Sequence, residues 1–312
     1  MSGPPNSPIV AVVGPTASGK TALAVELCRR FGGEIVGVDA SQVYRGFDVG
    51  TGKATAAELG GVAHHLVDVV DPAAPFDAAA YAALADAAIA DIHRRGRRVV
   101  LCGGTGLYLR ALVEGLCAAP PVAPAVRATL AARLAAGEVA AMHAELAAVD
   151  PAAAARIEPA DRQRIERALG VWLTTGRPIS AWQAEHAEPA RYAVATIGVE
   201  WPRAALWDRI ERRVDAMLAA GWLDEVRQLC AAGHEESVRA MQALGYRYLA
   251  EHLAGRLTLA EARAQTIAAT RRYAKRQLTW FRKTPGVRWF TGPVDIEAVV
   301  AHVGVIWGSP AA

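Results

Sequence analysis

The sequence predicts an α/β protein: a parallel sheet flanked by helices, with an inserted all-helical subdomain. Three observations carry that expectation. Short apolar runs recur at 9–13, 34–38, 98–102 and 192–199, each of a length that suits a strand buried on both faces. Segments of helical length and apolar periodicity separate them, as in a doubly covered parallel sheet. The stretch 118–189 breaks this alternation: it opens on Pro120, Pro121 and Pro124 and then shows helical periodicity with little strand signal.

The elements follow in order. The run 9–13 leads into the octapeptide GPTASGKT at 14–21, and a helix is expected from Lys20 to Phe31, stopped by Gly32-Gly33. The second strand ends at Asp39 and the third at Gly103-Gly104. Between them, 78–94 reads as an Ala-rich helix with Asp77 as its N-cap. Inside the insertion, helices are expected at 124–136, 138–148 and 161–175. After Trp201 the chain reads as helical to about Lys283, with turns at Gly221, Gly233, Gly245 and Gly255. The expected division is a core of 1–117 plus 190–312 and an insertion of 118–189.

Composition bounds the function. A chain of 312 residues, 53% hydrophobic and 21% charged, is long enough for one α/β core plus a subdomain and too apolar for disorder. The net charge of +3 is mild, but residues 262–290 carry eight Lys or Arg and no Asp or Glu, a bias that suits a polyanionic partner. Cys28, Cys102, Cys117 and Cys230 form no CxxC pair and read as reduced thiols. The N-terminal segment lacks the basic region of a signal peptide, and no run of about 18 apolar residues suggests a membrane span. A cytoplasmic monomer is expected, with no membrane association.

GPTASGKT is a phosphate-binding loop between a strand and a helix, so the core is expected to be P-loop NTPase-like. The loop Gly14, Pro15, Thr16, Ala17, Ser18, Gly19, Lys20 and Thr21 would wrap the phosphates, its backbone N–H groups, Pro15 apart, pointing at phosphate oxygens. Lys20 supplies a full charge and Thr21 a hydroxyl for Mg²⁺. Such a loop binds nucleotides or other diphosphates and leaves the reaction open. The strand 98–102, however, ends in Gly103-Gly104-Thr105 rather than in the carboxylate that a triphosphatase usually sets near its Mg²⁺. The carboxylate at a strand end is Asp39, followed by Ala40-Ser41-Gln42. It could deprotonate an acceptor while the loop holds a leaving pyrophosphate. Asp39 and Thr105 could instead be helix caps.

Further along, VDASQVYRGFDVGTGK at 38–53, HHLVDVVDP at 64–72, GGTGLYLRALVEGL at 103–116, DRQRIERAL at 161–169, ALGYR at 243–247 and TRRYAKRQLTWFRK at 270–283 join the loop in one order. Together they resemble the tRNA dimethylallyltransferases over nearly the whole chain. The resemblance implies transfer of a dimethylallyl group from dimethylallyl diphosphate to N6 of adenosine 37 in tRNA, with Mg²⁺ as cofactor. It implies that Gly14–Thr21 holds the diphosphate, that Asp39 is the base toward the amine, and that Ser41 and Gln42, next to Ala40, seat the adenine. Thr105 would complete the catalytic centre. Gln163, Arg164, Ile165, Glu166 and Arg167, with Gly245, Tyr246 and Arg247 and, in the insertion, Arg127, would touch tRNA. Of Arg209 and Arg213, which share a helix face, the family pattern favours Arg213 for the pyrophosphate. The chain departs from the pattern at Asp39-Ala40, where the family often has Asp-Ser, and at Gly52, where it often has Ala. The resemblance implies a bacterial-type enzyme, which is expected to lack the zinc-finger extension of eukaryotic members.

The chemistry suits these residues. The exocyclic amine of adenine is a poor nucleophile, and a placed carboxylate that takes its proton is worth roughly 10²–10⁴-fold. Loop amides, Lys20, Mg²⁺ and an Arg neutralise the departing pyrophosphate. No adjacent Asp pair occurs, so chain-elongating prenyl synthases are disfavoured. A base in an anticodon loop must be turned out to reach Asp39. Arg162, Arg164, Arg167 and the tail around Arg271, Arg272, Lys275 and Arg276 could offset that cost on phosphates, and Tyr44, Tyr246 and Trp280 could stack on bases or pack in the core. His64-His65 shows no metal geometry and reads as structural. The alternatives are a small-molecule kinase using ATP, a prenyltransferase acting on free adenine nucleotides, and a non-catalytic RNA-binding protein.

Overall fold

The computed structural model describes residues 8–186, 190–240 and 245–308. The chain divides into two compact units, Met1–Glu114 with Ala190–Ala312, and Gly115–Pro189.

The first unit is built on six strands: β1 (Ile9–Val13), β2 (Gly33–Val38), β3 (His64–His65), β4 (Arg98–Gly103), β5 (Val194–Glu200) and β6 (Arg288–Thr291). All pair in parallel, in the order β3-β2-β4-β1-β5-β6. Its helices are α1 (Lys20–Phe31), α2 (Ala56–Leu59), α3 (Ala78–Arg94) and α4 (Gly106–Val113), then α10 (Arg203–Ala219), α11 (Trp222–Ala231), α12 (Glu235–Ala240), α13 (Tyr246–Leu253), α14 (Leu259–Arg282) and α15 (Ile296–Trp307). The second unit holds α5 (Pro124–Ala135), α6 (Val139–Val149), α7 (Pro151–Ala154), α8 (Arg162–Thr175) and α9 (Ile179–Glu185).

The strand pattern explains the layers. Every residue of β1 and β2 is buried, so both sheet faces need a cover. Ile9, Ala11 and Val13 face α3, α4 and Phe281; Val10 and Val12 face α1 and α15. A separate helical layer, α10 to α14, packs its own core around Trp222, Tyr246 and Phe47. The insertion buries Leu130, Met142, Leu146, Ile165 and Leu169 among its own helices. Asp77 caps α3, its Oδ1 accepting from Ala79 and Ala80 N–H at 3.0 and 2.9 Å.

Elements beyond the sequence expectation are β3, β6, α15 and the short α2, α7 and α9. β3 is two polar residues, too short for any period, and β6 exposes both ends of Arg288–Thr291. His64 and His65 are thus edge-strand residues. His65 Nε2 lies 2.7 Å from Glu34 Oε2, and burial pulls His64 down to about 4. Among the described residues no helix is long and apolar enough to cross a membrane.

Strand register positions the site. Val13 pairs with Gly103, and Gly103 with Val38, so three strands end in one row. A Cβ on Gly103 would lie 2.0 Å from Val38 O, which makes glycine obligatory at that close approach. At the opposite end of β2, Glu34 is 4% exposed. Hydrogen bonds from Arg95, then from His65, hold its carboxyl at about 2 against an ordinary 4.5. Glu34→Gln is expected to cost on the order of 2–3 kcal/mol at neutral pH. A carboxylate held low stabilises the fold fully above its unfolded value, so the deficit should shrink as the pH falls from about 4.5 toward 2. Urea unfolding of both proteins across that range measures it, and a pH-independent difference would contradict the assignment.

Candidate active site

The loop leaves β1 through Gly14 at φ 146°, where a Cβ would come within 2.3 Å of Val199 O. Ala17 (φ 63°) and Gly19 (φ 93°) take left-handed conformations. Such turns aim successive N–H groups into one concavity. Trp201 Nε1 donates to Ser18 O at 2.9 Å, and Arg209 Nε donates to Ala17 O at 2.7 Å, so the loop's carbonyls are held from outside. No side chain caps the N-terminus of α1, which leaves its first N–H groups and positive dipole end for an anion. Lys20 Nζ donates to Pro15 O at 2.8 Å. Burial lowers its pKa, while the Cys102 and Asp39 side chains work against that shift. Burial pushes the Cys102 thiol up to about 11.

Asp39 follows β2. Its Oδ1 accepts from Ser41 N–H at 2.8 Å and Gln42 N–H at 3.3 Å, a tight turn that fixes the carboxylate. Oδ2 has no hydrogen-bond partner among the described residues. Thr105 does not cap α4 with its side chain; its Oγ1 accepts from Ala40 N–H at 3.1 Å, while its own N–H donates to Val38 O. Tyr273 lines the same region, its phenol pushed up to about 12 by burial and then by the Asp39 charge. Gln42 Nε2 reaches Thr51 O and Gly52 O at 3.1 and 3.2 Å. Arg213 abuts Gly52, where a Cβ would come within 1.8 Å of Nη2. Burial lowers the Arg213 pKa, and the Asp39 and Glu58 carboxylates oppose the shift.

One cavity of about 260 Å³ unites these parts. Thr16, Ala17, Gly19, Lys20 and Thr21 line it, as do Asp39, Ser41 and Gln42, with Arg213 from α10. Gly14, Pro15 and Ser18 are the buried frame of the loop. Arg213 thus faces the cavity, while Arg209 is committed to the loop carbonyl and to the Trp201 ring 4.2 Å away. Ala40 packs against the sheet core.

Other residues singled out in the sequence lie elsewhere. Tyr246 is fully buried; its hydroxyl donates to Glu225 Oε1 at 2.5 Å and its ring packs on Phe47 and Trp222. Gly245 is buried beside Trp222, and Arg247 is exposed over the Tyr248 ring. Ala243 and Leu244 lie outside the described residues. In the insertion, Arg127, Gln163, Arg164 and Arg167 are exposed and Glu166 is half-buried, whereas Ile165 is fully buried. Arg167 donates to Pro120 O and Ala119 O, and Arg162 to Leu134 O, so both also hold the subdomain together. Tyr44 is half-buried with its ring edge-on to Phe47, and Trp280 lies over Gly106 with Arg110 against its ring.

Two supporting residues escaped the sequence reading. Gln277, buried on α14, accepts from Thr16 N–H at 2.8 Å and donates to Gly104 O at 3.1 Å. An amide amid the basic run of that helix was its faint signal. Glu225 accepts from the N–H groups of Asp48, Val49 and Gly50 at 2.8, 2.6 and 3.2 Å, pinning the 48–52 wall of the cavity. In sequence it passes for an ordinary acidic residue in the first turn of a helix.

Comparison with known proteins adds an independent line. A model described as IPP transferase matches residues 42–284. The tRNA dimethylallyltransferase of Syntrophobacter fumaroxidans is 50% identical over 297 residues, 95% of this chain and 86% of that protein. The tRNA dimethylallyltransferase of Geobacter metallireducens is 48% identical over 298 residues, 95% of this chain and 96% of that protein. Among solved structures, the full-length tRNA isopentenylpyrophosphate transferase of Bacillus halodurans shares 39% identity at a TM-score of 0.72, covering 96% of this chain and 97% of that one.

Gln277→Ala is expected to leave a loop N–H and a carbonyl without partners, at about 1–3 kcal/mol. It should also weaken inorganic pyrophosphate binding by roughly tenfold, since an anion site depends on fixed donors. Urea unfolding and titration calorimetry measure the two effects; unchanged affinity would show that the loop holds its shape without the amide.

Proposed function

The chain belongs to the IPP transferase family, and on that premise we propose how its cavity carries out dimethylallyl transfer to N6 of adenosine 37 in tRNA. The observation that carries the reading is the placement of Asp39 beside Lys20 and Arg213 in one cavity, with glycines and Thr105 at the end of β4. Glu58 also lines the cavity, but its Oε2 accepts from Thr55 N–H and the Thr55 hydroxyl, which leaves Asp39 as the carboxylate set beside the two cations to take a proton next to a leaving anion. A kinase of the phosphate-loop group would usually set a carboxylate at the end of a neighbouring strand near its Mg²⁺, and β4 ends there in Gly103, Gly104 and Thr105.

The loop N–H groups, the N-terminus of α1, Lys20 and Arg213 hold the diphosphate of dimethylallyl diphosphate. The adenine N6 attacks the allylic carbon; the C–N bond forms, the C–O bond to the diphosphate breaks, and Asp39 takes the proton that N6 sheds. Pyrophosphate leaves with the electron pair of the broken bond. Thr105, whose hydroxyl accepts from Ala40 N–H, keeps the Asp39 turn in place. Ser41 and Gln42 flank the seat of the adenine.

The donor set also fits a magnesium ion. Among the described residues no cluster of three or more His, Cys, Asp or Glu is arranged to cage a metal. Mg²⁺ seldom uses such cages; it keeps its waters and takes one or two protein oxygens plus substrate phosphates. The Thr21 hydroxyl, which lines the cavity, would offer one such oxygen beside the phosphates. The bound ion would supply positive charge to the departing pyrophosphate.

The exposed Arg127, Gln163 and Arg164 of the insertion, and Arg272, Lys275 and Arg276 on α14, are the tRNA-facing groups of this reading. They supply phosphate contacts that help offset turning out the base.

Incubation with labelled dimethylallyl diphosphate and unmodified tRNA, against ATP with a metabolite panel, tests the reaction itself. In that assay Asp39→Ala should lower transfer by roughly 10²-fold or more while tRNA binding stays within a few fold. Full turnover would remove Asp39 as the base. Reversal of charge at Arg127 and Arg164, chosen because Arg167 also braces its own subdomain, should raise KM for tRNA about tenfold and KM for the donor far less. Equal effects on both constants would remove the insertion as an RNA contact.

A further inference from the structure

We propose that Ile210, Val214 and Met217 of α10, closed by Trp222, form a chain-length stop that restricts the donor to a single isoprene unit. The inference rests on the donor reading given above. All four side chains line the cavity that holds the phosphate loop, Asp39 and Arg213.

Their spacing ties them to the diphosphate. Ile210 and Met217 stand three residues before and four after Arg213, so they share its helix face, and Val214 is its neighbour. Arg213 and Met217 converge on one point of backbone: a Cβ on Gly52 would come within 1.8 Å of Arg213 Nη2 and 2.9 Å of Met217 Cε. An alkyl group attached to a phosphate held by Arg213 therefore emerges against the Met217 thioether. The apolar strip is where that group finds cover from water.

The strip is also a dead end. Trp222 is 1% exposed and wedged between two glycines. A Cβ on Gly50 would lie 1.9 Å from its Nε1, and one on Gly245 2.1 Å from its Cη2. Its ring meets Tyr246 edge-on at 5.5 Å. The indole has nowhere to swing. Ile210 and Val214 are themselves buried, which leaves the unbranched Met217 as the adjustable part of the wall. The cavity, about 260 Å³, falls below the range of roughly 300–1,000 Å³ usual for small-molecule sites, and the diphosphate takes its share. A second isoprene unit would have to displace side chains already in contact, at a cost that outweighs the gain from burying more carbon.

The test compares dimethylallyl and geranyl diphosphate as donors to unmodified tRNA, using the full chain. The parent should prefer the five-carbon donor by about 10²-fold or more in kcat/KM, and Met217→Ala should shift that ratio toward geranyl by about tenfold. By calorimetry, Met217→Phe should weaken dimethylallyl diphosphate more than inorganic pyrophosphate, which keeps the question answerable if the cavity-forming variant fails to fold. The stop is overturned if the parent uses both donors alike, if the ratio is unmoved in Met217→Ala, or if Met217→Phe weakens both ligands equally. Transfer from neither donor by the parent overturns the donor reading, and the stop with it.

Discussion

The constraint on which the rest depends is the close approach of β4 to β2 at Gly103. Parallel strands deliver their carboxyl ends to one edge, but the register decides which residues meet there. With Val13, Gly103 and Val38 in one row, the residues that follow are Gly14, Gly104 and Asp39. The phosphate loop, the Thr105 turn and the carboxylate are therefore neighbours by construction. A side chain on Gly103 would strike Val38 O and push β2 away, taking Asp39 with it.

The sheet edge alone is half a site. The other half comes from the helical layer, which reaches the edge through few contacts of high consequence. Gln277 stitches the phosphate loop to the β4–α4 turn with one amide. Glu225 gathers three backbone N–H groups and the Tyr246 hydroxyl, so the wall carrying Gly50 and Gly52 is fixed against α11 and α13. Arg209 and Trp201 hold the loop's carbonyls. None of these side chains need touch a substrate to matter, because an anion-binding loop works only if its donors are already in place when the ligand arrives.

This division explains what could be read from sequence. β1, β2, β4 and β5 announced themselves because their buried stretches are nearly all apolar, with the charged Glu34, Arg98 and Glu200 near their ends. The loop announced itself because its conformation demands glycines at fixed spacing. β3 and β6 are edge strands of two and four residues, and nothing about His64-His65 or Arg288–Thr291 requires a strand until a neighbour offers its backbone. The cavity residues of the candidate site were legible as chemistry: Lys20, Thr21, Asp39 and Arg213 do meet in one cavity. Tyr246 shows the limit. Its aromatic ring suited base stacking as well as core packing, and only the three-dimensional surroundings of Phe47, Trp222 and Glu225 place it in the core. Gln277 and Glu225 were illegible because their partners are backbone groups far away in sequence, and backbone groups have no letter.

The charges in the cavity bear on the direction of the proposed reaction. Burial works against the charged form of both Lys20 and Arg213, and in each case the Asp39 carboxylate is among the groups that oppose it. Asp39 bears on both cations, whereas Glu58, the other carboxylate of the cavity, bears on Arg213 and is bonded to Thr55, so the loop end around Lys20 is where a diphosphate finds uncommitted positive charge. Desolvated cations of this kind interact with an anion far more strongly than surface ones do. As the allylic C–O bond breaks, negative charge accumulates on the pyrophosphate, the part of the donor that the proposed reading sets against these groups. The stabilisation therefore grows along the reaction coordinate instead of being spent on the intact donor, and only such a difference accelerates the step. The same charges would hold the pyrophosphate after transfer. A Lys20 that can return to the Pro15 carbonyl, as it does in this structure, offers a way to loosen that grip without moving the loop.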